Sequence, residues 1–208
     1  MSIKAVVLDY GGVISFPPSH ETMFELVRLT GLSSESLKEL NRKYRGEWDR
    51  GALTGVEFYR KILIDSGVFL DDASLVRIMQ TDLDGWQNIN QAVIGLMRDI
   101  MSMGLSTGIL SNMPHEFLDW VKSNLPIIAE TRAVIFSCEH GMVKPEEGIY
   151  NLLREQAGCE FEEIAFFDDV SENVVAAGQL GLKSCIWKGV RSAREFLASV
   201  DPKLEALC

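Results

Sequence analysis

Residues 5–14 read Ala-Val-Val-Leu-Asp-Tyr-Gly-Gly-Val-Ile, a short apolar run that stops at an aspartate with two glycines just beyond. Such a run, closed by Gly-Gly, predicts a central strand of an α/β sheet. Asp9 then stands at the carboxyl end of that strand, where open α/β sheets place their ligands. Glycine at positions 11 and 12 lets the backbone come close to a substrate or a metal.

Outward from this stretch the chain alternates. Apolar runs over 3–8, 105–110, 133–136, 164–167 and 183–187 predict strands. Helical periodicity falls between and after the later ones, over 91–103, 115–123, 146–156, 172–180 and 192–200. Strands alternating with helices mean βαβ units and a Rossmann-like parallel sheet with helices on both faces. Gly104, Gly158 and Gly181 fall between a helix and the next strand, where a helix-stopping glycine belongs. Residues 15–86 break the rhythm: four stretches, 21–29, 34–44, 55–64 and 73–80, look helical and none looks like a strand. The expected division is a core of residues 1–14 and 87–208 with a small helical cap, 15–86, inserted after the first strand. Ser33 offers a cap for the second of these helices without a capping box, and Trp48, Phe58, Tyr59 and Trp86 are expected in the cap's own core.

The 208 residues are 47% hydrophobic, enough for a full core plus an insertion, and carry a net charge of −10. That surface repels nucleic acid and anionic membranes, so neither is expected as a partner. An anionic substrate needs a local positive site against this field. Cys138, Cys159, Cys185 and Cys208 form no metal-binding spacing, Cys185 reads as core and Cys208 as exposed. With no signal-peptide pattern and no long apolar run, the chain reads as cytoplasmic. Its oligomeric state is not legible.

Four features carry chemistry. Asp9 is the first. Asp168-Asp169, after the strand over 164–167, is the second: adjacent carboxylates repel, and a divalent cation with hard oxygen ligands, Mg²⁺, relieves the repulsion. The bland reading is that one of them caps the following helix. Lys144, before a proline expected to open the next helix, is either solvated surface or a point charge for an anion. Ser111-Asn112, closing the strand over 105–110, either caps a helix or holds an anionic oxygen through the Ser hydroxyl and a backbone N–H.

In the order Asp, Ser, Lys, Asp-Asp, these features resemble the haloacid dehalogenase-like (HAD) superfamily over nearly the whole chain. Asp9-Tyr10-Gly11-Gly12-Val13, Ser111-Asn112 and Phe166-Phe167-Asp168-Asp169 with Asn173 are similar to the branch of the α-glucose-1-phosphate phosphatases and the N-terminal phosphatase domains of soluble epoxide hydrolases. The resemblance implies a phosphatase for a small phosphorylated metabolite, a sugar phosphate, working through an aspartyl-phosphate on Asp9. It implies Mg²⁺ held by Asp9, the Gly11 carbonyl and Asp169, with Asp168 as a further or outer ligand. Ser111 and the Asn112 N–H would bind phosphoryl oxygens, Lys144 would offset charge between Asp9 and phosphate, and Asn173 would orient an acidic group.

One position departs from the pattern. Many phosphatases of the superfamily carry a second aspartate two residues after the nucleophile, as acid and base; here that residue is Gly11. Water or a cap residue such as His20 could carry the proton, the substrate could have a good leaving group, or the protein could bind without turnover. A metal-independent 2-haloacid dehalogenase is the nearest rival and has no use for Asp168-Asp169. A mutase would need an acid/base at Gly11. In the cap, Trp48 and Arg45 are candidate substrate contacts.

Overall fold

The computed structural model describes residues 2–207; Cys208 lies outside them. Five parallel strands run β1 (Ala5–Leu8), β2 (Ser106–Ser111), β3 (Ala133–Phe136), β4 (Ile164–Asp168) and β5 (Lys183–Ile186), in the spatial order β3-β2-β1-β4-β5. The order reverses at β1, so the loops after β1, β2 and β4 open side by side into one crevice. All four residues of β1 are buried. Its side chains alternate between faces, as a strand's must. Val6 and Leu8 pack with α5 (Gln91–Ser102), α6 (His115–Asn124) and α9 (Val190–Val200). Ala5 and Val7 pack with α7 (Glu147–Ala157) and α8 (Ser171–Gln179). Burying each Val or Leu side chain contributes about 1.5–3 kcal/mol. α7 stops at Gly158, whose left-handed φ of 68° a side chain would strain.

Between β1 and α5 the chain makes four more helices: α1 (His20–Thr30), α2 (Ser34–Asp49), α3 (Gly55–Asp65) and α4 (Asp72–Gly85). Ser19, Ser33, Thr54 and Asp71 cap them in turn, each side chain accepting a backbone N–H of the first turn. Such caps are worth roughly 1 kcal/mol each. α2 runs to Asp49, past the expected end at residue 44, although Gly46 should weaken it. Packing overrides propensity there: Trp48, fully buried, stacks on Phe58 at 4.6 Å, and Arg45 pairs with Asp49 one turn on. Trp48, Phe58 and Tyr59 form an interior, but Trp86 is only half-buried and faces β1's loop.

Two local expectations fail. Pro145 does not open α7: the Glu146 N–H donates to the Val143 carbonyl (2.8 Å), making a turn that holds the proline ahead of a helix starting at Glu147. Cys185 is half-buried at the core's margin, whereas Cys138 is buried. No helix among the described residues is long and apolar enough to cross a membrane.

Candidate active site

The carboxyl ends of three neighbouring strands supply the site. The Asp9 N–H still donates to Phe167 across the sheet (2.9 Å), so the residue is fixed by the β-ladder while its side chain leaves it. Both hydrogen bonds to its carboxylate fall on Oδ1, from the Tyr10 N–H (2.7 Å) and the Lys144 ammonium (2.9 Å). Lys144 is 4% exposed, so it is not a solvated surface lysine. Its Nζ donates to Asp9, to Asp168 Oδ2 (2.6 Å) and to the Leu110 carbonyl (2.8 Å), which uses all three hydrogens. Burial alone would lower its pKa, but the charges of Asp9 and Asp168 outweigh that and raise it. Lys144 is therefore a cation at all ordinary pH.

Asn112 holds this lysine in place. Its side chain accepts the Lys144 N–H (2.8 Å) and donates to the Lys144 carbonyl (3.0 Å). Neither Ser111 nor Asn112 caps α6; the residue before that helix is Pro114, which has no side chain to do so. Ser111 is buried at the end of β2, its hydroxyl making only a 3.4 Å contact to the Asn112 carbonyl.

Asp168 is fully buried and crowded with donors: the Val170 N–H on Oδ1 (2.8 Å), the Asn173 amide on both oxygens (3.1 and 3.0 Å), and Lys144. It does not cap α8, whose first-turn cap is Val170. Asp169 is exposed, and a Cβ at Gly12 would collide with its carboxylate, so glycine there lets the two loops meet. Carboxylate oxygens of Asp9, Asp168 and Asp169 all lie within 4.8 Å of one another. Burial raises the pKa of Asp9, opposed by Lys144 and reinforced by Asp168; partial desolvation against the facing loop, and then Asp168, raise that of Asp169 although it is exposed at the surface. One ammonium among three carboxylates leaves a surplus of negative charge on hard oxygens, which fits a Mg²⁺ ion. Asp9 and Asp169 have oxygens to offer it, whereas those of Asp168 are largely committed.

A cavity of about 50 Å³ lies over Gly11, walled by Tyr10, Arg45, Trp86, Ser111, Asn112 and Phe117, among others. Arg45 and Trp86 also wall a cavity of about 520 Å³ inside the four helices. Arg45 thus lines both cavities. Trp48 does not; it is buried, and its indole donates to Glu116 on α6 (3.0 Å). His20 lines the larger cavity and not the smaller. Trp86 is not the cap-core residue the sequence reading expects: its ring edge would lie 3.2 Å from a Cβ at Gly11, and its Nε1 is buried without a partner. The signal that could have found it is the missing side chain at position 11, next to an aromatic where the chain returns to the core.

With that geometry in place, likeness to known proteins adds a family. Residues 3–181 match the family model for haloacid dehalogenase-like hydrolases, and the chain belongs to that family. It is similar to the bifunctional epoxide hydrolase 2 of Sus scrofa, 25% identical over 96% of this chain but only 39% of that protein. The chain thus spans about two-fifths of that relative's length. It also resembles the sesquiterpene phosphatase astK of Aspergillus oryzae, 22% identical over 87% of this chain and 88% of that one. A HAD family enzyme of Bacteroides thetaiotaomicron, crystallised with magnesium and inorganic phosphate, shares the fold at a TM-score of 0.65 and 22% identity, covering 90% of this chain and 95% of that one. The expected fold and superfamily are therefore correct.

Proposed function

We propose that this hydrolase is a Mg²⁺-dependent phosphatase for a small phosphate monoester, a sugar phosphate, and that it works through an aspartyl-phosphate on Asp9. The observation that carries the reading is the Asp9–Lys144–Asp168 chain with Asp169 beside it: one fixed cation, one carboxylate aimed out of the sheet, and charge left over for a metal. Asp9, the Gly11 carbonyl and Asp169 would hold the metal, with Asp168 as a further or outer ligand. When bound, Mg²⁺ offsets the charge of the phosphoryl group. Asp9 attacks phosphorus in line, and Ser111 with the Asn112 N–H hold phosphoryl oxygens. Lys144 favours the ionised form of Asp9 against its burial and aims it, and Asn173 and Asn112 hold Asp168 and Lys144 in position.

Residues 15–86 act as the cap and choose the substrate, whose organic part enters the larger cavity past Arg45. Asn41, Lys38 and Arg42 in that cavity suit hydroxyl groups. The cap is tied to the core by Glu116, which accepts from Trp48 and from the Gly55 N–H (2.6 Å), and by Ser137, which donates to the Asp49 carbonyl (2.5 Å). Free Cys138, Cys159 and Cys185 support a reducing, cytoplasmic setting. Phosphate release from a panel of sugar phosphates, with Mg²⁺ and with EDTA, tests the reading. Release should need Mg²⁺. Halide release from a 2-haloacid, indifferent to EDTA, would assign the site to dehalogenation instead.

A further inference from the structure

The space over Gly11, two residues from Asp9 and walled by Ser111 and Asn112, has no side chain able to protonate a leaving oxygen among the residues that wall it. Arg45 is a guanidinium and does not give up a proton. The Tyr10 hydroxyl donates to the Trp86 carbonyl (2.9 Å). Ser111 and Asn112 are neutral, and the remaining walls are apolar or aromatic. The hydrogens of Lys144 are all directed to Asp9, Asp168 and Leu110. His20 lies in the neighbouring cavity, with Trp86 in the wall between. The Trp86 ring crowds the one position nearest the nucleophile where an acid is missing, since it would lie 3.2 Å from a Cβ at Gly11. Its unpartnered Nε1–H can donate a hydrogen bond but is not an acid.

We infer that this enzyme is confined to phosphate compounds whose leaving oxygen departs as an anion unaided, and that its aspartyl-phosphate outlives the step that forms it. The inference rests on the phosphatase reading above and names its substrate class. The leaving group is the conjugate base of something more acidic than an ordinary alcohol: an anomeric hydroxyl, an enol, a phenol or a carboxylic acid. In the first step an Asp9 oxygen bonds to phosphorus as the bond from phosphorus to the leaving oxygen breaks. The electron pair goes with that oxygen, which takes a proton from solvent afterwards. In the second step water attacks phosphorus and the bond to Asp9 breaks, returning its electron pair to the carboxylate. The water's proton passes to solvent, because no side-chain base stands over Gly11 to take it. The first step depends on the leaving group; the second does not, and is slow for every substrate.

The test is kcat/KM of the Mg²⁺-loaded enzyme for nitrophenyl, chlorophenyl, phenyl and benzyl phosphates, a series of similar size and falling leaving-group acidity. A side-chain acid is worth ~10²–10⁴ in rate, and its absence should fall on the benzyl ester, so kcat/KM should drop by at least ~10² across the series. Rapid mixing with nitrophenyl phosphate should give a burst of one nitrophenolate per active site before a slower steady state. Gly11→Asp with Trp86→Ala supplies an acid and the room for it, and should flatten the series. His20→Ala should keep the parent's slope. Comparable kcat/KM for the benzyl and nitrophenyl esters would overturn the inference and leave the phosphatase reading standing. So would turnover of nitrophenyl phosphate without a burst. Release of phosphate from none of the series would overturn the phosphatase reading itself.

Discussion

The molecule twice places a cation between two buried carboxylates. In the core, Lys144 joins Asp9 to Asp168; in the cap, Arg45 joins Asp49 (2.7 Å) to Asp82 (3.6 Å). Both sets of acids are almost fully buried, and both cations are held charged, because their carboxylate neighbours outweigh the cost of burial. What differs is the surroundings. Arg45 lies over the Trp48 ring at 4.8 Å, and Asp82 takes the Tyr59 hydroxyl (2.8 Å), so aromatic groups hold the cap cluster in the wall of the larger cavity. The core cluster sits where three strand ends meet, with the exposed Asp169 adding a further charge. The same ionic triad is a clasp when it stands alone. It becomes a reaction centre when strand ends bring a third carboxylate within metal-binding distance of the other two.

The largest effect separates the two clusters by chemistry. Asp9→Asn should lower turnover by at least ~10⁴, with Tm little changed because the amide is nearly isosteric. Asp49→Asn should leave turnover measurable. Parallel steady-state assays and thermal melts check both, and comparable activity losses would erase the distinction.

Next come the cations. Removing one partner of a buried ion pair leaves uncompensated charge and costs about 3–5 kcal/mol, so Lys144→Met and Arg45→Met should both unfold at lower urea. Mg²⁺ should restore much of the stability of the Lys144 variant and none of that of the Arg45 variant, because only the core, among the described residues, gathers three carboxylates at metal-binding distance. Urea titrations with and without Mg²⁺ decide this, and equal rescue of both would show that the surplus charge is not what distinguishes the core. A smaller effect concerns Asp169 alone: Asp169→Asn should weaken Mg²⁺ binding by at least ~10-fold in calorimetry, whereas Asp82→Asn should not change it.

The smallest effect uses a buried carboxylate held mainly by neutral donors. Asp201 accepts the Ser2 hydroxyl (2.7 Å), the Ile3 N–H (2.8 Å) and the Lys203 N–H (3.1 Å), and the Ser2 bond foremost holds its pKa below the usual carboxylate range. A lowered folded pKa means the stabilisation is complete above the ordinary carboxylate pKa and is lost as pH falls through the folded value. Asp201→Asn should therefore lower Tm by about 2–4 °C near neutral pH. That gap should close in acid; melts across pH that keep it constant would contradict the assignment.

The parts of this picture written locally could be read from the chain. β1 announces itself as a four-residue apolar run, and β3 falls on its expected residues. Asp9 and Asp168-Asp169 are visible because acids that close buried strands are conspicuous, and Lys144 because the resemblance gave it a partner. The parts made by tertiary contact could not be read. Nothing near Lys144 tells that Asn112, far off in sequence, grips its backbone. Nothing near Arg45 reveals Asp82. The extension of α2 through Gly46 depends on Phe58, a residue of the next helix. Trp86 looked like interior aromatic mass until the fold laid it over the empty position at Gly11.

The central claim is that Asp9 takes the phosphoryl group. Acid-quenching the Mg²⁺-loaded enzyme during turnover of nitrophenyl phosphate, then mapping its peptides by mass spectrometry, tests this most directly. A phosphoryl group on Asp9, absent from the Asp9→Asn variant and from enzyme quenched in EDTA, is the predicted result. Phosphate release at the same rate with Asp9 unmodified, or undiminished by Asp9→Asn, would contradict it.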